Sequence, residues 1–236
     1  MVASAITSAA LIEAPGGLQV WVNDRSVERT PWANALHETV NALGVVGFDV
    51  LFGRHSDDLA YLLQLAEDEI RRRAALSEVA LLDEPSVLLV LNQPDRVVAL
   101  QRVTDDYGRT DSELGSVLRQ ILAVGSTLGI HVVVTATSLG VLRSVVADQV
   151  VQNDIRHRVV LQMPEDDSFL LVRSSQASRL QLDGDRPIAA LAFDSQKQLA
   201  VRFKPYCLGA GPDDAAKVDL VGQILGIVRQ LADRLG

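Results

Sequence analysis

Aromatic residues make up only 4% of the 236 positions. A protein that holds single-stranded nucleic acid by stacking its bases needs exposed rings, and this composition argues against that mode. There is one cysteine, Cys207. A single thiol excludes an internal disulfide and suits a reducing compartment. Lys204 is the only positive residue near it, too little to mark a reactive thiolate. Positive charge is not in excess either, since the formal net charge is -8. No global basic field draws the chain to DNA or to a membrane, although a local basic patch or a basic partner domain still could. No apolar run reaches the roughly 18 residues that span a bilayer, and no basic segment followed by an apolar one opens the chain as a signal peptide would. The four histidines, His37, His55, His131 and His157, are isolated and lack metal-ligand spacing, so no metal site is expected. Ser138, Ser174 and Ser175 lie outside any Gly-x-Ser-x-Gly context. What remains is the expectation of a cytoplasmic α/β domain.

The 48% hydrophobic share can fill a sizeable core, and its centre is the run Val87-Leu-Leu-Val-Leu91, which ends in Asn92-Gln93. An unbroken apolar run of this kind fits a strand buried on both faces of a parallel sheet. Open α/β sheets place their ligand chemistry at the carboxyl ends of such strands. Around it, helices are predicted over Met1 to Ala14, from Pro31 to Gly44, from Ser56 to Leu76 and from Asp111 to Leu128. Further helices are predicted around Val141 to Asp148 and after Pro164. Strands are predicted at Leu18–Asn23, Phe48–Phe52 and Ile130–Thr135, with Arg158–Gln162 as a third inner strand. Ile188–Phe193 and Leu199–Phe203 read as a hairpin across Asp194-Ser-Gln-Lys197. Asp105 to Gly108 reads as a loop, and the Arg71-Arg72-Arg73 run as a solvated helix end. Asp213 to Leu235 carries a one-sided apolar stripe. Alternating strands and helices imply a mainly parallel sheet with right-handed crossovers. The Gly209-Ala-Gly-Pro212 stretch divides residues 1–208 from a terminal amphipathic helix, 209–236.

The order of these pieces resembles a family. Glu69-x-x-Arg72-Arg73 closes a helix, an apolar strand with a two-residue polar end follows, and then comes Gly129-Ile130-His131-Val-Val-Val-Thr135-Ala136-Thr137. Later come Asn153-Asp-Ile-Arg156-His-Arg158-Val-Val-Leu-Gln162 and Asp167-Ser168. Over roughly residues 5 to 205 this is similar to the motor domain of the FtsK/SpoIIIE/HerA group of ATPases, which includes DNA translocases and the motor subunits of type VII secretion. The resemblance implies a RecA-like fold, oligomeric assembly with other motor subunits, and an ATP and magnesium site.

Against that family the chain shows four departures. No GxxxxGK[ST] phosphate loop, whose backbone amides and lysine would wrap phosphates, occurs in the sequence; the first helix corresponds to the one expected after it. Asn92 and Gln93 stand at the Asp-Glu positions that hold magnesium and polarise water. Ser126 stands where an arginine reaching a neighbouring subunit is often found. Thr137, followed by Ser138, stands at a sensor position often held by glutamine. Arg156 and Arg158 are candidates for subunit or phosphate contact. Asn92 and Gln93 are read either as polar caps of a strand or as a vestigial nucleotide pocket. The leading expectation is a catalytically degenerate module, without ATPase activity of its own, that acts in assembly or regulation of a DNA-handling machine. The alternatives are a piece of an active translocase whose phosphate loop lies outside this chain, which would then use ATP and magnesium, and a type VII secretion motor domain that binds substrate peptides.

Overall fold

The computed structural model describes residues 2–13, 15–26, 31–105, 108–183, 186–187 and 189–204, together with 226 and 230. In chain order the elements are α1 (Val2–Ile12), β1 (Leu18–Asp24), α2 (Pro31–Val45), β2 (Asp49–Gly53), α3 (Ser56–Ala74), α4 (Glu78–Leu82) and β3 (Ser86–Asn92). They continue with β4 (Val103–Asp105), β5 (Gly108–Thr110), α5 (Glu113–Val124), β6 (Ile130–Thr135), α6 (Leu139–Leu142), α7 (Asp148–Asn153) and β7 (His157–Val160). The last are α8 (Glu165–Val172), β8 (Leu182–Asp183), β9 (Arg186–Pro187), β10 (Ala190–Asp194) and β11 (Leu199–Phe203). The predicted terminal helix and the boundary at 209 lie outside the described residues.

Strands β1, β2, β3 and β6 form a parallel sheet in the order β2-β1-β3-β6. The pleat sends Val20, Val22 and Val90 to one face, against Ile6 and Ala10 of α1 and Leu36, Val40 and Leu43 of α2. It sends Trp21, Leu89 and Leu91 to the other face, against Leu59, Leu62, Leu63 and Ile70 of α3 and Leu118 and Ile121 of α5. Helices on both faces explain why β3 is apolar without alternation. Leu89, Val90 and Leu91 are fully buried, each stabilising the fold by roughly 1.5–3 kcal/mol relative to exposure.

The segment predicted as a third inner strand differs. It forms β7, which pairs antiparallel with β10, and β10 pairs antiparallel with β11, in a separate sheet. Its residues alternate exposed and buried, the pattern of an antiparallel strand with one face in solvent rather than of an inner parallel strand. The two ends of the predicted Asp105–Gly108 loop pair with each other, Asp105 on β4 and Gly108 on β5. α5 is capped by Ser112, whose hydroxyl accepts from the Gly115 N–H at 3.0 Å, one residue beyond the predicted Asp111 cap.

The Arg71–Arg73 run also splits. Arg71 and Arg72 are exposed, but the Arg73 side chain is 1% exposed. Its guanidinium donates to Glu69 Oε1 at 2.6 Å, the Pro85 carbonyl at 2.8 Å and the Leu128 carbonyl at 3.0 Å. One side chain thereby ties the end of α3 to the segments that lead into β3 and β6. Among the described residues no helix is long and apolar enough to cross a membrane.

Candidate functional site at the carboxyl end of the parallel sheet

Strand register brings three polar residues into one row, because Asp24 stands opposite Asn92 and Asn92 opposite Thr135. The Asn92 amide is used at both ends. Its Nδ2 donates to Asp24 Oδ1 at 2.7 Å, and its Oδ1 accepts from the Thr135 hydroxyl at 2.6 Å. Asp24, only 2% exposed, also accepts from the Ser26 N–H at 3.0 Å. Its second oxygen faces the Arg54 guanidinium at 3.7 Å. Asn23, fully buried, donates through Nδ2 to the carbonyls of His55 at 3.2 Å and Gly53 at 3.4 Å, tying β1 to the exit of β2. The Arg25 N–H donates to the Asn92 carbonyl at 2.9 Å. Gln93 is left-handed, with φ 55°, a conformation a non-glycine residue adopts at some cost. That turn lets its N–H donate to Thr135 Oγ1 at 3.2 Å.

Among the described residues, the buried side-chain atoms without a hydrogen-bond partner are Asn23 Oδ1, Asp24 Oδ2, Arg25 Nε, Gln93 Oε1 and Asp95 Oδ1. Native interiors satisfy nearly all such atoms. Here the exceptions concentrate in residues 23–25 and 93–95, at the carboxyl ends of β1 and β3, where an α/β sheet meets its ligands.

The donor set does not fit a nucleotide-bound magnesium centre. That chemistry draws on carboxylates together with a phosphate-wrapping loop. The only carboxylate in the row, Asp24, is engaged by Asn92, Ser26 and Arg54. No group of three or more His, Cys, Asp or Glu side chains among the described residues is arranged to hold a metal ion.

The other predicted site residues scatter. Thr137 is exposed on the turn between β6 and α6, and it is Thr135, two residues earlier, that bonds to Asn92. Ser126 is exposed in the 3-10 turn before β6, at the opposite end of that strand and so about 20 Å from Thr137 by strand rise. Arg156 lies just before β7 of the second sheet, where its Nε and Nη2 reach the two Asp194 oxygens at 3.3 and 3.2 Å. That pairing holds the Asp194 carboxyl down at about 2. Arg158 is buried, and its guanidinium donates to the carbonyls of Val151, Gln152, Ile155 and Leu171 at 2.6–3.1 Å. It closes the carboxyl ends of α7 and α8, and burial, with Arg173 as a second cause, lowers its guanidinium from the ordinary value.

Sequence reasoning missed Asp24 and Thr135. A signal for Asp24 was present. Leu18-Gln-Val-Trp-Val-Asn23-Asp24 ends in two polar residues just as β3 does, and parallel neighbours in register put such ends side by side.

No protein-family description matches this sequence, and neither does any curated protein. Solved structures do resemble it in shape. The conjugation coupling protein TcpA, in monomer form with ATPγS, superposes with a TM-score of 0.57 at 13% identity, over 94% of this chain and 59% of its own. The chain thus spans well under two thirds of that protein. The DNA-packaging ATPase from Sulfolobus Turreted Icosahedral Virus superposes with a TM-score of 0.52 at 10% identity, over 87% of this chain and 90% of its own. With the parallel sheet, its flanking helices and the separate hairpin sheet, these likenesses show that the chain has a RecA-like fold, shared with a conjugation coupling protein and a DNA-packaging ATPase.

Proposed function

We propose that the chain is a catalytically degenerate FtsK/HerA-like domain that serves as an assembly or regulatory module of a DNA-handling machine, beside other motor subunits. The observation that carries this reading is the Asn92 amide, held between the Asp24 carboxylate and the Thr135 hydroxyl. An aspartate at position 92, as an active motor of this type would have, would face a second buried carboxylate across 2.7 Å. The amide turns that repulsion into a hydrogen bond, so the strand end is built for its own stability rather than for magnesium. The two similar structures, a conjugation coupling protein and a DNA-packaging ATPase, support the machine class. Titrating the full chain with ATP and magnesium tests the reading: micromolar binding by this chain alone would sink it.

A second reading has its own support. β6 has no outer partner among the described residues, and Val132 to Thr135 are only half-buried. The strand, Ile-His-Val-Val-Val-Thr, carries no lysine, proline or other device that blunts an edge. Such an edge suits an added strand, and a strand leading into a phosphate loop from outside this chain could pair there. A synthetic peptide with an apolar strand followed by GxxxxGK[ST] separates the readings. ATP binding that appears only with the peptide favours the second, and none in either case favours the first.

A further inference from the structure

A cavity of about 660 Å³ lies between the β4–β5 hairpin, α5 and α7, away from the strand-end row of Asp24, Asn92 and Thr135. Three arginines line it: Arg102 before β4, Arg109 on β5 and Arg119 on α5. The chain carries a formal charge of -8, so this concentration of positive charge runs against the whole. The acids that line the cavity are Asp111 and Asp154. Asp111 works as a bracket. One of its oxygens accepts from Arg102 Nε at 3.0 Å, and the other lies 3.3 Å from Arg119 Nη1. One carboxylate cannot neutralise two guanidiniums, but it fixes their orientation. Arg102 is further held by its N–H bond to the Ser144 carbonyl at 2.7 Å and by its guanidinium bond to the Arg109 carbonyl. The Arg119 side chain is 58% exposed, which leaves most of its fork open. Arg109 is exposed, and its guanidinium has no partner among the described residues. Gln149 and Asn153, one helical turn apart on α7, add amide donors on the facing wall.

Planar guanidinium forks held in place match phosphate oxygens better than lysines do. No aromatic side chain lines the cavity, so it offers nothing on which a base could stack. We infer that this pocket binds the phosphodiester backbone of nucleic acid, without reading its sequence, through Arg109 and Arg119 with Arg102 as their positioned neighbour. The assignment rests on the DNA-handling reading above and gives it a contact surface. Backbone-only contacts are sequence-independent and weaken steeply with salt, because each neutralised phosphate releases counterions.

The test is fluorescence anisotropy of a labelled 20-base-pair duplex with the full chain, across about 50–200 mM salt. The variants are Arg109→Ala, Arg119→Ala and, as a charge-matched control on β11, Arg202→Ala, with circular dichroism confirming the fold of each. Each pocket variant is expected to weaken binding several-fold and to make the slope of log K against log salt shallower by about 0.9, while Arg202→Ala does neither. Wild-type binding that the pocket variants leave unchanged, or that all three variants weaken equally, overturns the inference and leaves the DNA-handling reading standing. Failure of the wild-type chain to bind the duplex at about 50 mM salt also overturns the inference, while the degenerate-module reading stands or falls on the ATP titration. Tripolyphosphate binding that the pocket variants lose, with no duplex binding, assigns the pocket to a free anion and overturns the inference.

Discussion

Replacing Asn92 by aspartate should, in this fold, destabilise the protein in a pH-dependent way. The substitution exchanges an N–H donor for a carboxylate oxygen 2.7 Å from Asp24 Oδ1. Two full charges at that separation repel by about 6 kcal/mol at an effective dielectric of about 20. The native protein need not bear all of it, because it can take up one proton and share it between the two carboxyls. Keeping an aspartic acid protonated at pH 7 against an ordinary pKa of about 3.9 costs about 1.36 kcal/mol per unit, so the penalty is capped at about 4 kcal/mol. Half-burial of Asn92 and solvent screening place the measured value at or below that cap. The sign follows from proton counts. Between about pH 4 and 7 the native variant holds one more proton than its unfolded chain, so its unfolding free energy rises as pH falls. The deficit against wild type should therefore be largest at pH 7, shrink by up to about 1.4 kcal/mol per pH unit, and vanish near pH 4. Urea denaturation of both proteins from pH 4 to pH 7 measures it. An equal deficit at every pH, or no deficit at pH 7, would refute the reasoning.

Three further outcomes are expected. Arg158→Met should destabilise by about 3 kcal/mol, because buried carbonyls of α7 and α8 lose their donor, and Arg158→Lys should not rescue it, since an ammonium lacks the fork that reaches Val151, Gln152 and Leu171 together; urea midpoints decide this. Gly129→Ala should cost about 1–2 kcal/mol and lower Tm by roughly 2–8 °C, because Gly129 sits at φ +75° and a Cβ there would stand 3.0 Å from Arg73 Nη1. Glu69, held down at about 2 by Arg72 first and then Arg73, has a depressed folded-state pKa. Its contribution to stability is present above pH 4.5 and is lost as pH falls toward 2, so its carboxyl carbon should titrate near 2 by NMR in the native protein and move toward 4.5 in Arg72→Ala.

The parallel core was readable because its signals are local: an unbroken apolar β3, polar strand ends, and helices with one-sided stripes. The resemblance added order to those pieces, and the fold agrees with it. What the sequence concealed depends on long-range pairing. β7 carries the same valine-rich pattern as an inner strand, and only its pairing with β10 assigns it to the second sheet. Arg73 reads as part of a solvated helix end and Arg158 as a subunit or phosphate contact, because arginine is mostly exposed. Their burial rests on main-chain carbonyls contributed by distant segments, which no periodicity announces. The Asp24–Asn92–Thr135 row needs two strand registers at once, 68 and 43 residues apart in sequence. Asn92 was therefore legible as the polar end of an inner strand, but not as a residue already bonded at both ends.

The most direct measurement is isothermal titration of the full chain with ATP and magnesium, carried out alongside the Asn92→Asp variant. The strand end described here predicts no binding in the micromolar range for either protein, because restoring one carboxylate supplies no phosphate-wrapping loop. Saturable micromolar binding by the wild-type chain would contradict the degenerate reading outright.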